Sequence, residues 1–303
     1  FARGAFRIAI DCDAAEIAKL KNNVEIRIVE DAGRFIDKLV SKLPEKLAIN
    51  REGWLSRIRK WEERYPVITK EMCQVKDGVS TYLLVQNLSS SLEKEDVIVE
   101  GSAGVHSEIF FMTFDVKLGQ RILADGSYGS MGYGLPAAIG ACVANQRRRT
   151  ILVEGDGSLQ PNLQELETVR RENLPIKIIV VNNGGYSSIR VSQGRYFNRL
   201  VGADFRSGLT IPDLSKIAYA YGIRYERIND ASELQNGLQR VINGLDPVIC
   251  EVIVPNEEDR IPRISNLQRA DGTMVSKPLE DMFPFLPRDE FFSNMIIPPI
   301  SED

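Results

Sequence analysis

With 303 residues, 43% of them hydrophobic and 26% charged, the chain is long enough for about two domains and has a globular balance, not a disordered or fibrous one. The formal net charge is −4, with acidic and basic residues interspersed, so no basic stripe is available to neutralise phosphates and nucleic acid is not expected as a partner. No apolar run, residues 176–181 included, is long enough to cross a bilayer, so a membrane is not expected either.

The four cysteines, Cys12, Cys73, Cys142 and Cys250, form no C-x-x-C pair. That argues against a zinc site or a redox dithiol, and for free thiols in a reducing, cytoplasmic setting. No charged stretch followed by an apolar one opens the chain, so no secretion signal is read. The chain starts at Phe1 inside what reads as a strand, the pattern expected of a piece of something longer.

Residues 7–12 predict a strand, with Asp13 as N-cap of a helix through Ala15, Ile17, Ala18 and Leu20. Residues 24–29 alternate as a second strand. Asp31 then opens a helix whose Phe35, Ile36, Leu39, Val40 and Leu43 recur at helical spacing up to Pro44. This unit, residues 1–46, is too short for a complete domain. A charged helix comes next within 47–76, carrying Trp54, Ile58 and Trp61 on one face. Periodic aromatics of this kind read as packing anchors of a linker helix on the next domain rather than as ligand stackers.

From Asp77 an α/β pattern begins: helix 78–91, strand 97–100, helix 131–145, strand 150–154, helix 159–172, strand 176–181, helix 212–221, strand 223–228, helix 231–243 and strand 247–254. The strands are continuous apolar runs (TILVE, IKIIVV, VICEVIV), as expected when helices cover both faces of a parallel sheet. The alternation predicts an α/β fold with a doubly wound parallel sheet and right-handed crossovers. Its ligand belongs beyond the carboxyl ends of the strands. The tail after Pro255 has no sustained period; it reads as an ordered wrap over the 77–303 domain or over a partner subunit.

Two strand ends are unusual: Glu154-Gly155-Asp156-Gly157-Ser158 and Asn182-Asn183-Gly184-Gly185-Tyr186. Asp156 and Asn183 lie 27 positions apart, the length of one helix plus one strand, which in a parallel sheet brings both to the same edge. An Asp carboxylate and an Asn amide oxygen are hard donors suited to magnesium or calcium, and magnesium commonly shares its shell with substrate phosphates. Gly155 and Gly157 let backbone amides approach a phosphate, and Ser158 opens the next predicted helix, where free N–H groups favour an anion. Asp-Gly and Asn-Gly are also hairpin signals. The residues after Asp156-Gly157, however, have helical spacing (Leu159, Leu163, Leu166, Val169) rather than strand alternation.

GDGS, succeeded after the twenty-four residues between Gly157 and Asn182 by NN, resembles the cofactor motif of thiamine diphosphate enzymes. The segment GSYGSMGYGLPAAIGA at 126–141 is similar to the stretch preceding that motif in the acetolactate synthase and pyruvate oxidase-like group. The likeness is close over about 97–190 and looser over nearly the whole chain. It makes 1–45 resemble the end of the family's central domain and 77–254 its diphosphate-binding domain.

The resemblance implies that Asp156, the Asn183 side chain and the Gly185 carbonyl ligate Mg2+, with Gly157 and Ser158 against the diphosphate. Met131 matches the residue that wedges under thiamine diphosphate and bends it; taken alone it would read as ordinary core. The Gly129 carbonyl matches the acceptor of the aminopyrimidine amine, and Tyr186 and Ile189 would line the reaction pocket. His106, the only histidine, lies in GSAGVHSE, similar to a loop near the diphosphate; a structural role and a cofactor contact both remain open. Pyruvate decarboxylase-like members carry a carboxylate where Ile189 stands, and acetolactate synthases often have Met where Pro161 stands.

The family pattern implies a decarboxylating carboligase acting on a 2-keto acid such as pyruvate, working as a homodimer or homotetramer. Its activating glutamate sits on a pyrimidine-binding domain for which this chain offers no candidate. No catalytic side chain is therefore expected in these residues, and the chain alone is expected to be silent. The rivals are a 2-keto acid decarboxylase, a ligase of sugar or capsule synthesis, and a non-catalytic subunit of the same fold.

Overall fold

The computed structural model describes residues 2–21, 23–44, 50–101, 104–268 and 271–300. The chain divides into two compact units: Tyr65–Ile261, and Phe1–Arg64 together with Pro262–Asp303. The tail thus groups with the N-terminal segment, where the sequence division placed it in a 77–303 domain. The 46/47 boundary, Phe1, and Ser102 and Ala103 of GSAGVHSE lie outside the described residues.

In the smaller unit, β1 (Ile8–Asp11) pairs in parallel with β2 (Ile26–Val29). Asp13 caps α1 (Ala14–Lys19) by accepting from the Ala15 N–H, and Asp31 caps α2 (Ala32–Lys42) by accepting from the Arg34 N–H. Helix α2 buries no residue, and its Ile36, Leu39 and Val40, with the C-cap Leu43, are exposed. On α3 (Glu52–Arg64) the Trp54 and Trp61 rings meet edge-on at 5.9 Å. Trp61 Nε1 donates to Asn294 in the same unit at 3.0 Å.

The larger unit contains α4 (Thr81–Ser91), β3 (Val97–Glu100), α5 (Val105–Thr113), β4 (Arg121–Ala124), α6 (Gly134–Ala144), β5 (Thr150–Gly155), α7 (Leu166–Arg171), β6 (Ile176–Asn182), α8 (Ser187–Phe197), α9 (Leu214–Tyr221), β7 (Arg224–Ile228), α10 (Ala231–Asn243) and β8 (Val248–Ile253). The six strands form one sheet in the order β4-β3-β5-β6-β8-β7, every pairing parallel. Alternate residues of each apolar run feed two cores. Ile151, Val153, Ile179, Val181, Cys250 and Val252 pack with α4, α5 and α10. Leu152, Ile178, Val180 and Ile249 pack with α6, α7 and α9 on the other face. Each fully buried Ile or Leu contributes about 2 kcal/mol of transfer free energy, and the unbroken runs are what a sheet covered on both faces requires.

Strand order reverses between β3 and β5: the chain goes from β3 outward to β4, then returns to the far side of β3. That switch point is where doubly wound sheets open a crevice. The expected helix 159–172 is instead a 3₁₀ segment, Gln160–Glu165, continued by α7. The break falls at Asn162 (φ −128°, ψ 30°). Pro161 has no N–H to continue an α-helix, and the Asn162 side chain donates instead to the Gly132 carbonyl at 2.7 Å. Ser158 therefore precedes a 3₁₀ segment rather than an α-helix. In the smaller unit, the aperiodic tail holds the antiparallel pair β9 (Asn266–Gln268) and β10 (Met274–Ser276), and α11 (Arg288–Asn294).

Candidate functional site

Strands β5 and β6 are in parallel register with Gly155 opposite Val181, so Asp156 and Asn183 leave the sheet side by side at its carboxyl edge. Asp156 is buried. Its Oδ1 accepts from the Gly157 N–H at 2.8 Å and its Oδ2 from the Gly185 N–H at 2.9 Å, one bond within its own loop and one across to the loop after β6. Gly185 holds φ +134°, and a Cβ there would stand 2.4 Å from the Ala203 carbonyl oxygen. A Cβ on Gly157 would lie 2.4 Å from the Tyr186 ring. The loop after β5 meets Tyr186, and Gly185 meets the chain beyond α8, this closely only because these positions are glycine.

Gly129, Met131, Gly155, Asp156, Gly157, Ser158, Asn183, Gly185 and Tyr186 line one cavity of about 280 Å³, together with Gly104, His106, Ser187, Ser188 and Ile189. These nine residues, and His106 and Ile189, all singled out from sequence, are thus brought together. The Gly129 turn is fixed by Asp125, which accepts from the Tyr128 N–H at 3.2 Å and the Ser130 N–H at 3.0 Å. Met131 stands on the wall, 52% exposed. Ser158 is buried, with its hydroxyl 3.4 Å from the Gly101 carbonyl.

His106 lies in the first turn of α5, not in a loop. It is 4% exposed, its Nδ1 and Nε2 have no hydrogen-bond partner among the described residues, and Nε2 stands 3.9 Å from a Glu100 oxygen. Burial pushes it down to about 4, so it is neutral. Burial also pushes Asp156 up to about 6, against the Gly157 and Gly185 N–H groups and the charge of Arg190. Glu154, buried on β5 behind the site, is pushed up to about 8 by the same cause.

Several side chains that organise the loops were given no role of their own in the sequence reading. Asn182 Nδ2 donates to Glu251 on β8 at 2.6 Å while its Oδ1 accepts from the Gly184 N–H at 2.9 Å. Tyr225 donates to the same carboxylate. Arg190, on α8 and 5% exposed, donates from Nη2 to the Asn183 carbonyl (2.9 Å) and the Asn256 carbonyl (2.6 Å). The legible signal is the spacing: seven positions after Asn183, on a helix starting where the loop ends, a side chain pointing back toward the helix N-terminus reaches that loop.

The donors that converge here are a carboxylate, an amide oxygen and backbone carbonyls, all hard oxygens. Among the described residues no group of three His, Cys, Asp or Glu could hold a metal by itself. That donor set fits magnesium completed by phosphate oxygens and does not fit zinc. The buried Asp156 carboxylate and the unpartnered His106 nitrogens on the same cavity also fit a charged, hydrogen-bonding ligand.

Residues 102–252 match the family described as "Thiamine pyrophosphate enzyme, C-terminal TPP binding domain", thiamine pyrophosphate (TPP) being thiamine diphosphate. The chain belongs to the thiamine pyrophosphate enzyme family. Among curated relatives of this family, the acetolactate synthase large subunit of Cyanidium caldarium is 31% identical over 271 residues, 88% of this chain and 45% of that protein. The corresponding subunit of Pyropia yezoensis is 31% identical over 289 residues, 92% of the chain and 46% of that protein. The chloroplastic acetolactate synthase of Arabidopsis thaliana is 28% identical over 272 residues, 87% of the chain and 40% of that protein. The chain spans a little under half the length of these relatives.

Proposed function

We propose that this chain is the diphosphate- and Mg2+-binding part of an acetolactate synthase-like carboligase acting on a 2-keto acid such as pyruvate. The observation that carries the proposal is the convergence of Asp156, Asn183 and Gly185 on one cavity wall, in a chain about 30% identical to acetolactate synthases over most of its length. The Asp156 carboxylate, the Asn183 amide oxygen and the Gly185 carbonyl would hold the metal. Gly157 and Ser158 would face the diphosphate, the Gly129 carbonyl the aminopyrimidine, and Met131 the bend between the two rings. Thiamine diphosphate, when bound, supplies a carbanion equivalent for decarboxylation and carbon–carbon bond formation at a 2-keto acid.

Ile189 lends the pocket an aliphatic wall with no proton to give. That favours attack on a second carbonyl compound over release of an aldehyde. The activating glutamate is proposed to lie outside these 303 residues. Two observations support this: the curated relatives are about twice as long, and α2 leaves its apolar face exposed beside a two-stranded sheet too small to stand alone. A partner subunit is proposed to cover the cavity, in a homodimer or homotetramer.

Given pyruvate, thiamine diphosphate and Mg2+, the 303-residue chain alone is expected to release no carbon dioxide, whereas the protein that includes the proposed glutamate-bearing domain yields acetolactate. Turnover by the chain alone, or acetaldehyde as the product of the larger protein, would contradict the proposal.

A further inference from the structure

Arg190 sets an electrostatic condition on the metal site. Its side chain is almost fully buried and makes no ion pair among the described residues. Every group it donates to is neutral: the carbonyls of Asn183, Asn256, Gly184 (3.4 Å) and Ala203 (3.4 Å), and the Asn183 Oδ1 itself at 3.3 Å. Held by three separate stretches of backbone, the guanidinium cannot swing away from the loop. Asp156 feels its charge, and so does Asp204, whose carboxylate is engaged first by Ser207.

On the other side of the balance, Asp156 is the single carboxylate among the described residues lining the cavity. Arg190 thus sets one fixed positive charge beside the Asn183 amide oxygen and the Asp156 carboxylate at this loop, and shares it with Asp204. The atom expected to ligate that cation, Asn183 Oδ1, already faces Arg190 Nη2. In a water-poor site a fixed positive charge this close repels an incoming dication strongly, while a diphosphate brings several negative charges that both cations attract.

We propose, resting on the reading of Asp156 and Asn183 as metal ligands, that Arg190 makes metal binding conditional on the diphosphate: the site holds a divalent cation together with a phosphate-bearing ligand and rejects the bare ion. Arg190 is thereby a positioning and selectivity residue, not a catalytic one.

The test is equilibrium dialysis of the 303-residue chain against Mn2+, alone and with thiamine diphosphate, for the wild type, Arg190→Met and Arg190→Lys. The wild type is expected to retain Mn2+ with thiamine diphosphate and to bind Mn2+ alone at least about tenfold more weakly. Arg190→Met, which removes the charge, is expected to raise the affinity for Mn2+ alone about tenfold. Arg190→Lys keeps the charge but loses the guanidinium fork, and is expected to stay as poor as wild type toward the bare ion; a role confined to bracing the loop would make the two variants alike. Equal retention of Mn2+ by the wild type with and without thiamine diphosphate overturns the proposal even if Arg190→Met fails to fold. So does unchanged bare-ion affinity in a folded Arg190→Met. No retention by the wild type even with thiamine diphosphate overturns the ligand reading itself, and the proposal falls with it.

Discussion

Asp156 is held by N–H groups from two loops, and the second of these belongs to Gly185, whose backbone conformation no other residue adopts readily. Gly185→Ala would place a methyl 2.4 Å from the Ala203 carbonyl at φ +134°. It is expected to cost about 3 kcal/mol, read by chemical denaturation, and to weaken cofactor binding as well.

His106 is a residue whose effect shows in pH. It is neutral in the fold down to about pH 4, while its ordinary value once unfolded is 6.5. Between those values the unfolded chain carries the extra proton, so the stability owed to neutral His106 is complete above about pH 6.5 and is lost as pH falls to about 4. Glu154 and Asp156, both raised by burial, tilt the opposite way and lose stability as pH rises through about 8 and about 6. The clean readout is therefore the difference between wild type and His106→Gln. Wild type is expected to lose up to about 3 kcal/mol relative to the variant between neutral pH and pH 4; parallel stability curves would rule out a buried, neutral histidine.

At the scale of elements, the strands that build the site were the most legible, because TILVE and IKIIVV have no polar face to confuse their period. Their core is correspondingly sensitive: Ile179→Ala on β6, fully buried, is expected to cost about 3 kcal/mol in denaturant unfolding, against almost nothing for Leu118→Ala at an 86% exposed site. Other elements left no such mark. Helix α5 (VHSEIFFMT) is apolar around most of its circumference and shows no stripe, and β4 is a four-residue edge strand with Arg121 and Leu123 exposed. Lys177, inside the apolar run of β6, is buried with its ammonium donating to the Asp246 carbonyl, a tertiary arrangement no local pattern announces. The same holds for the site. Glycines and metal-type donors at strand ends are a sequence signal, whereas the Glu251–Asn182 and Arg190 supports exist only through the pairing of β6 with β8 and the start of α8.

The whole molecule combines two units of different build. Tyr65–Ile261 has a six-stranded sheet with cores on both faces, and the residues matched by the family, 102–252, lie inside it. The smaller unit has only two two-stranded pairs among its described residues and an uncovered α2 face, in keeping with a chain a little under half the length of its acetolactate synthase relatives. The central claim is that the larger unit grips thiamine diphosphate through a metal at Asp156. Calorimetric titration of the chain with thiamine diphosphate, with and without Mg2+, tests it most directly. The expected result is Mg2+-dependent binding near one equivalent per chain, weakened at least about a hundredfold, or roughly 2.7 kcal/mol, by Asp156→Ala. Equal affinity in the wild type and Asp156→Ala, or binding indifferent to Mg2+, would contradict it.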